Sequence, residues 1–266
     1  VRCSIQLSHR RIILNGFILY ILMKKHLVLN TYINETTIDE VANRLINESK
    51  LTVAVCNANS LVRASKSIEI NDVLNNFDIC TPDGFPVALA SKLLYKNNQR
   101  RVDGFNLFNK TLEISENKDV THYFFGNKEE VVQKIIKKFQ ISNPDTKIVG
   151  YVCPPIKEVE DLLNDDYVQE ILKIQPSIVW VSLGFPKQEL FINKLKNKYE
   201  INSNLVGIGF TFDWVSGAKF KAPEILANIG MEWIFRLVQE PRRLFKRYLI
   251  DNCLFILYFI KQYKNK

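Results

Sequence analysis

The sequence predicts an α/β fold: a mostly parallel sheet with helices on both faces, followed by a helical, basic C-terminal appendage. Three observations carry this. From Leu27 onward, short continuous apolar runs alternate with stretches of helical apolar spacing, the pattern of strands buried on both faces. Polar and glycine residues cluster directly after several of these runs, where parallel sheets bind their ligands. Past residue 220 the texture turns basic and apolar together: residues 221–266 hold nine Lys or Arg against four Asp or Glu.

The elements follow in order. Leu27–Ile33 reads as a short strand. Thr37 opens a helix through about Ser49, with Ile38, Val41, Ala42, Leu45 and Ile46 at helical spacing. Leu51–Cys56 and Phe77–Cys80 are apolar runs of strand length, and Tyr123–Phe125, Lys147–Val152, Ser177–Leu183 and Leu205–Ile208 continue the series. Helices are expected near 127–139, 156–173 and 186–198, with right-handed crossovers. There is no internal repeat and no low-complexity linker.

Composition narrows the function classes. The 266 residues are 47% apolar and 24% charged, which excludes a disordered chain. A formal net charge of +8 favours anionic partners: nucleic acid, anionic lipid headgroups or diphosphates. Five cysteines without a C-x-x-C pair and three scattered histidines argue against a disulfide framework and a zinc site, so neither a metal nor a cofactor is expected. A cytoplasmic, reduced chain fits best.

Residues 1–25 carry basic ends around the apolar run Ile12–Met23, interrupted by Asn15. The run is shorter than the ~20 apolar residues that span a bilayer, and no small-residue cleavage site follows. One reading is a signal or anchor; the other is an extension preceding a start at Met23. The expected organisation is therefore a possible extension over 1–25, a core over 26–220 and a membrane-associating appendage over 221–266.

Several motifs bear chemistry. Asp83 follows the strand Phe77–Cys80 within Thr81-Pro82-Asp83-Gly84; it is either a general base facing the ligand crevice or a helix cap. Asn57 and Asn59 follow Leu51–Cys56 and either bond a sugar or uracil or cap the next helix. Arg101, in Arg100-Arg101-Val102-Asp103-Gly104, grips a phosphate or sits in a surface ion pair. Gly184-Phe185-Pro186-Lys187-Gln188-Glu189 turns a strand into a helix whose N-terminus suits an anion, with Pro186 in its first turn. Gly207-Ile208-Gly209, followed by Asp213 and Gly217, allows close backbone approach and offers a carboxylate to a ribose or sugar hydroxyl. Arg236, Arg243 and Arg247 share a helical face if one helix runs through Pro241; a new helix starting at Pro241 is the alternative. Such arginines neutralise a diphosphate or meet lipid headgroups. The chain has no D-x-D triplet to hold a metal against a diphosphate.

The order of these motifs is more specific than any one of them. P-D-G, R-V-x-G, L-G-x-P-x-Q-E, G-x-G-x-x-F-D-x-x-x-G, A-P and E-W-x-x-R-L-x-x-E-P-x-R occur in sequence over about residues 27–248. This series resembles the WecG/TagA/CpsF glycosyltransferase family. The resemblance implies a Rossmann-like core and an inverting transfer of N-acetylmannosamine, its uronic acid or another hexose. The donor would be a UDP-sugar and the acceptor a polyprenyl-diphosphate-linked sugar, in teichoic acid, enterobacterial antigen or capsule synthesis. It makes Asp83 the base and places Arg101 and Gln188 in the site. It also makes the appendage a membrane-binding element on the inner face of the cell membrane, bringing Arg236, Arg243 and Arg247 to the reaction. Val55 stands where the family often has threonine, Asn106 where an aspartate is frequent, and Lys221 where R-A-P begins with arginine.

On this reading Asp83 takes the acceptor hydroxyl's proton, Arg101 and the C-terminal arginines meet the leaving diphosphate, and Asn57, Asn59, Gln188 and Asp213 orient sugar and nucleotide. The partners are donor, acceptor and membrane surface, without nucleic acid, and a homo-oligomer remains open. The alternatives are a nucleotide-sugar-modifying enzyme, for which the glycine-rich dinucleotide fingerprint is missing, and a non-catalytic basic protein that binds membrane or nucleic acid.

Overall fold

The structure, a computed structural model, describes residues 7–8, 11–14, 17–20, 23–164 and 166–266. Up to residue 20 the description is of backbone strands alone, and the side chains of Asn164, Asn228, Arg243, Lys246 and Arg247 lie outside it. The question of an extension over residues 1–25 falls largely outside the described residues.

The strands are β1 (Leu7–Ser8), β2 (Arg11–Leu14), β3 (Phe17–Tyr20), β4 (Met23–Val28), β5 (Thr31–Asn34), β6 (Thr52–Cys56), β7 (Ile79–Pro82), β8 (Thr121–Gly126), β9 (Lys147–Val152), β10 (Ile178–Ser182) and β11 (Asn204–Gly207). The helices are α1 (Ile38–Asn47), α2 (Ala58–Ala64), α3 (Ile68–Asn75), α4 (Phe85–Tyr95), α5 (Gly104–Ser115), α6 (Glu129–Ser142), α7 (Val159–Asn164), α8 (Asp166–Ile174), α9 (Lys187–Lys198), α10 (Thr211–Val215), α11 (Glu224–Asn228), α12 (Glu232–Gln239) and α13 (Pro241–Lys264). A six-stranded sheet runs in the order β7-β6-β11-β10-β8-β9. Its registers, such as Val179 beside Leu205 and Tyr123, are parallel. This is the predicted α/β architecture with helical crossovers.

The chain divides into two compact units, each assembled from separate stretches. One comprises Val1–Thr37, Cys56–Val102 and Ala222–Lys266; the other comprises Ile38–Val55 and Asp103–Lys221.

In the first unit, the single strand expected over Leu27–Ile33 is instead a hairpin of β4 and β5. Leu29 and Asn30 take left-handed backbone angles, φ 47° and 67°, which a two-residue hairpin turn requires. An apolar run that continues through such a turn reads as one strand in sequence. Gln262 of α13 closes on this turn: its Nε2 donates to the Leu27 carbonyl at 2.8 Å and its Oε1 accepts from the Leu29 N–H at 3.0 Å. Asn34 Oδ1 accepts the Cys80 N–H at 2.8 Å, so a buried side chain supplies a backbone partner for β7. A helix does end before Pro241: α12 stops at Gln239 and α13 begins at Pro241. Proline in the first helical turn has no N–H to lose, and Arg236 therefore lies on a different helix from Arg243 and Arg247.

The second unit packs large aromatics around its strands. Trp180, Tyr123, Phe124, Phe125, Phe191 and Phe212 are fully buried. Phe108 meets Trp180 edge-on at 4.9 Å between ring centroids and Phe212 at 5.7 Å. Buried polar groups there form a directed relay. Trp180 Nε1 donates to His122 Nδ1 at 3.1 Å, His122 Nε2 meets Ser115 Oγ at 2.8 Å, and Ser115 Oγ donates to the Leu112 carbonyl. Since Nδ1 accepts and Ser115 donates onward, the ring proton sits on Nε2. Burial pushes the His122 pKa down to about 3, which keeps the imidazole neutral. The helix expected over 156–173 is instead two, α7 and α8, with residue 165 between them outside the described residues.

Candidate active site

The first unit carries a solvent-open cleft. Its wall begins where β6 and β7 end. Asn57 follows β6 and caps α2, its Oδ1 accepting the Ser60 N–H at 3.2 Å while the Asn57 N–H meets Ser60 Oγ at 2.8 Å. Asn57 thus caps α2 and also lines the cleft. Asp83 follows β7 and does not cap. Gly84, at φ 80°, takes the cap position of α4, a left-handed angle that glycine adopts without strain. The Asp83 N–H donates to the Cys56 carbonyl at 2.8 Å, and the Val102 N–H to the Pro82 carbonyl at 2.9 Å. Thr81 Oγ1 adds a bond to the Val102 carbonyl at 3.0 Å. These bonds fix the backbone on either side of the carboxylate.

The opposite wall comes from α11, α12 and α13. Arg236 lines the cleft together with Asp83, Asn57 and Asn59. Arg101 Nη1 lies 2.5 Å from Glu232 Oε2, with side chains 11% and 21% exposed. Asn59 Nδ2 donates to Asp251 Oδ2 at 2.5 Å. Trp233 and Tyr248 line the same cleft, their rings meeting edge-on at 6.2 Å. Gly230 faces Phe85 so closely that a Cβ there would stand 2.8 Å from the ring. Sequence reasoning missed Glu232, Trp233, Tyr248 and Asp251. Their partners lie as far as 192 residues away, and no local spacing announces such a pair. Arg243 and Arg247 belong to α13, and their side chains lie outside the described residues.

Gln188 and Asp213 belong to the second unit. Gln188 is buried. Its Oε1 accepts the N–H groups of Gly184 at 3.2 Å and Gly209 at 3.0 Å, so one amide ties together the turns that follow β10 and β11. Its Nε2 donates to Glu189 Oε1 at 2.9 Å. The Glu189 carboxyl is buried, its Oε2 has no hydrogen-bond partner, and burial raises its pKa to about 7. Pro186 takes the cap position of α9 rather than its first turn. Asp213 Oδ2 accepts from Asn127 Nδ2 at 2.9 Å, while Asn127 Oδ1 accepts the Lys128 N–H at 2.7 Å. Asn127 was not singled out in the sequence, although Gly126-Asn127 after a strand has the composition of a ligand turn. Lys221 and Asn106, two of the departures from the family pattern, meet in this unit: Lys221 Nζ lies 3.4 Å from Asp103 Oδ1 and 3.5 Å from Asn106 Oδ1.

Among the described residues, no group of three or more His, Cys, Asp or Glu could hold a metal ion, and no helix is long and apolar enough to cross a membrane. The chemistry on offer is that of carboxylates, amides, arginines and aromatic faces.

Comparison with known proteins agrees with this chemistry. The chain is 28% identical over 221 residues to an N-acetylglucosaminyldiphosphoundecaprenol N-acetyl-beta-D-mannosaminyltransferase of Bacillus subtilis (strain 168), an alignment covering 80% of each chain. A protein of the same name from Bacillus spizizenii (strain ATCC 23059 / NRRL B-14472 / W23) is 32% identical over 171 residues, 64% of each chain. Another from Staphylococcus aureus (strain MW2) is 27% identical over 176 residues, 65% of this chain and 66% of its own. The profile of the glycosyl transferase WecG/TagA/CpsF family matches residues 26–266. The chain belongs to the WecG/TagA/CpsF family of glycosyl transferases.

Proposed function

We propose that this glycosyl transferase moves an N-acetylhexosamine of the N-acetylmannosamine type from a UDP-sugar to a polyprenyl-diphosphate-linked sugar in cell-surface polymer synthesis. The observation that carries the reading is the meeting of Asp83, Asn57, Asn59 and Arg236 in one cleft, in a chain whose relatives bear that acceptor and that sugar in their names. The acceptor hydroxyl oxygen attacks the anomeric carbon as its proton passes to the Asp83 carboxylate. The bond from that carbon to the diphosphate oxygen breaks, and UDP leaves with the electron pair. Attack from the face opposite the leaving group inverts the anomeric centre through an oxocarbenium-like transition state. Arg101 and Arg236, with Arg243 and Arg247 from α13, neutralise the departing charge.

The same helices carry the reading of a peripheral membrane protein on the cytoplasmic face. Val238 is 76% exposed and Leu257 60%, with Phe245 and Leu249 each at 58%. Apolar side chains of this kind bury in the interface, and each nearby Lys or Arg adds roughly 1 kcal/mol on anionic lipid.

The test is UDP release from a panel of UDP-sugars in EDTA, with and without a polyprenyl-diphosphate-linked N-acetylglucosamine. Acceptor-dependent release by the wild type that is lost in Asp83→Asn supports the reading. Near-normal turnover by Asp83→Asn overturns the base assignment.

A further inference from the structure

We infer that Glu189 is a positioning residue: it orients the Gln188 amide and, through it, the two turns at Gly184 and Gly209 against which the donor binds. The inference rests on the transferase reading and concerns the donor's affinity, not the proton transfer.

All of these groups belong to the second unit. β10 and β11 are neighbouring parallel strands, and the chain leaves both through glycines at left-handed angles, Gly184 at φ 79° and Gly209 at φ 56°. Parallel sheets bind their ligands at such carboxyl ends. One side-chain amide joins the two turns. Gln188 Oε1 accepts the N–H groups of Gly184 and Gly209, and the Gln188 N–H donates to the Gly184 carbonyl at 3.0 Å. Ser182 Oγ donates to the Gly209 carbonyl at 2.6 Å, so the N–H and the carbonyl of each glycine are both held. Gly207 leaves room for the amide, since a Cβ there would stand 3.0 Å from Gln188 Nε2.

An amide fits such a space either way round, but its two ends differ chemically. Turned over, Gln188 would set an NH₂ group against two N–H donors. The bond that opposes this is Nε2 to Glu189 Oε1, at 2.9 Å. Adjacent positions on a helix point about 100° apart and do not face each other, so helical spacing alone does not produce this contact. Glu189 is itself buried, and its Oε2 has no hydrogen-bond partner. A carboxyl in the interior costs stability, and an unpaired buried oxygen calls for a use that offsets it. Orienting the amide is that use. The bond does not depend on charge, because the oxygen of a neutral carboxyl or of a carboxamide also accepts an N–H.

The experiment measures donor KM, acceptor KM and kcat in the UDP-release assay, and UDP affinity by calorimetry. The proteins are wild type, Glu189→Leu, Glu189→Gln, Gln188→Leu and the double variant with leucine at both positions. Glu189→Leu should raise the donor KM and the UDP Kd about tenfold. Its kcat and acceptor KM should stay within about threefold of wild type. Glu189→Gln keeps an oxygen for Nε2 and should return every constant to within about twofold. On a Gln188→Leu background, Glu189→Leu should alter UDP affinity by less than about twofold, because it acts through an amide already gone. Glu189→Asp draws the carboxyl back by one methylene and serves where Glu189→Leu does not fold, with the same weakening expected. A fall in kcat at unchanged donor KM, equal weakening by Glu189→Gln and Glu189→Leu, additive losses in the double variant, or unchanged UDP affinity in Glu189→Leu and Glu189→Asp overturns the inference. A wild type that neither binds nor releases UDP overturns the transferase reading and this inference with it. A wild type that does both, beside unresponsive variants, overturns the role of Glu189 alone.

Discussion

Arg101 and Glu232 stand 131 residues apart in sequence and 2.5 Å apart in space, in a contact that leaves their side chains 11% and 21% exposed. Removing either partner breaks a largely buried ion pair. Glu232→Gln or Arg101→Ala should therefore cost about 2 kcal/mol in a denaturant titration. The reversed pair, Arg101→Glu with Glu232→Arg, separates support from chemistry. It should recover most of the stability while leaving kcat/KM down by roughly 100-fold or more, because the guanidinium then projects from α12 instead of the loop before α5. Full recovery of turnover would make the contact a brace only.

Glu189 predicts a stability change on the alkaline side. Its folded pKa is raised to about 7 from an ordinary 4.5 by burial. A raised carboxyl pKa means the fold favours the protonated form. The contribution is complete below about pH 4.5 and is lost as pH rises through 7, on the order of 3 kcal/mol over the whole window. The melting temperature of the wild type should fall between pH 5 and 8.5, and Glu189→Gln should flatten that slope. A Glu189→Gln profile parallel to the wild type would show that another group governs it.

Gln188 is expected to be intolerant of isosteric apolar replacement. Gln188→Leu removes the acceptor for two backbone N–H groups, at about 1–3 kcal/mol for each one left buried and unpaired. Gln188→Glu keeps the acceptor but sets a second carboxyl beside Glu189. Its loss of melting temperature should be larger at pH 8 than at pH 5.5, which a pH series on the two variants would check.

Two glycines at similar left-handed angles allow a controlled comparison. Gly217, at φ 73°, has nothing within 4 Å of an added Cβ; Gly230, at φ 81°, would press one to 2.8 Å from the Phe85 ring. Gly217→Ala reports the backbone cost, about 1 kcal/mol. Gly230→Ala should cost at least 1 kcal/mol more, the range of an overpacked site, and should shift the ring that walls the cleft. Equal unfolding free energies for the two variants would show that Phe85 yields freely.

The sheet was legible in the sequence because its strands are apolar on both faces and bounded by turn residues. Leu51–Cys56 became β6 at Thr52–Cys56, and Lys147–Val152 is β9 without change. The β4–β5 hairpin was not legible, since Leu29 carries the apolar run into a left-handed turn where local preference expects glycine or asparagine. Of the residues singled out after the strands, Asn57, Asn59 and Asp83 line one cleft, whereas Gln188 and Asp213 belong to the other unit. What the sequence withheld was partnership. Nothing local marks Glu232 as the neighbour of Arg101, or Asp251 as that of Asn59, because tertiary packing alone joins α12 and α13 to those loops.

The bond between Gln262 and the Leu27–Leu29 turn has a consequence for how the protein is made. The unit that holds the cleft includes both Val1–Thr37 and Ala222–Lys266, and its β4–β5 hairpin is closed by Gln262, a residue of α13. On a ribosome the chain emerges from its N-terminus at about 5–20 residues per second. Most of the sheet is available early, whereas the cleft waits for α13. A nascent chain from which α13 has not yet emerged thus carries Asp83 without the wall that Tyr248 and Asp251 supply.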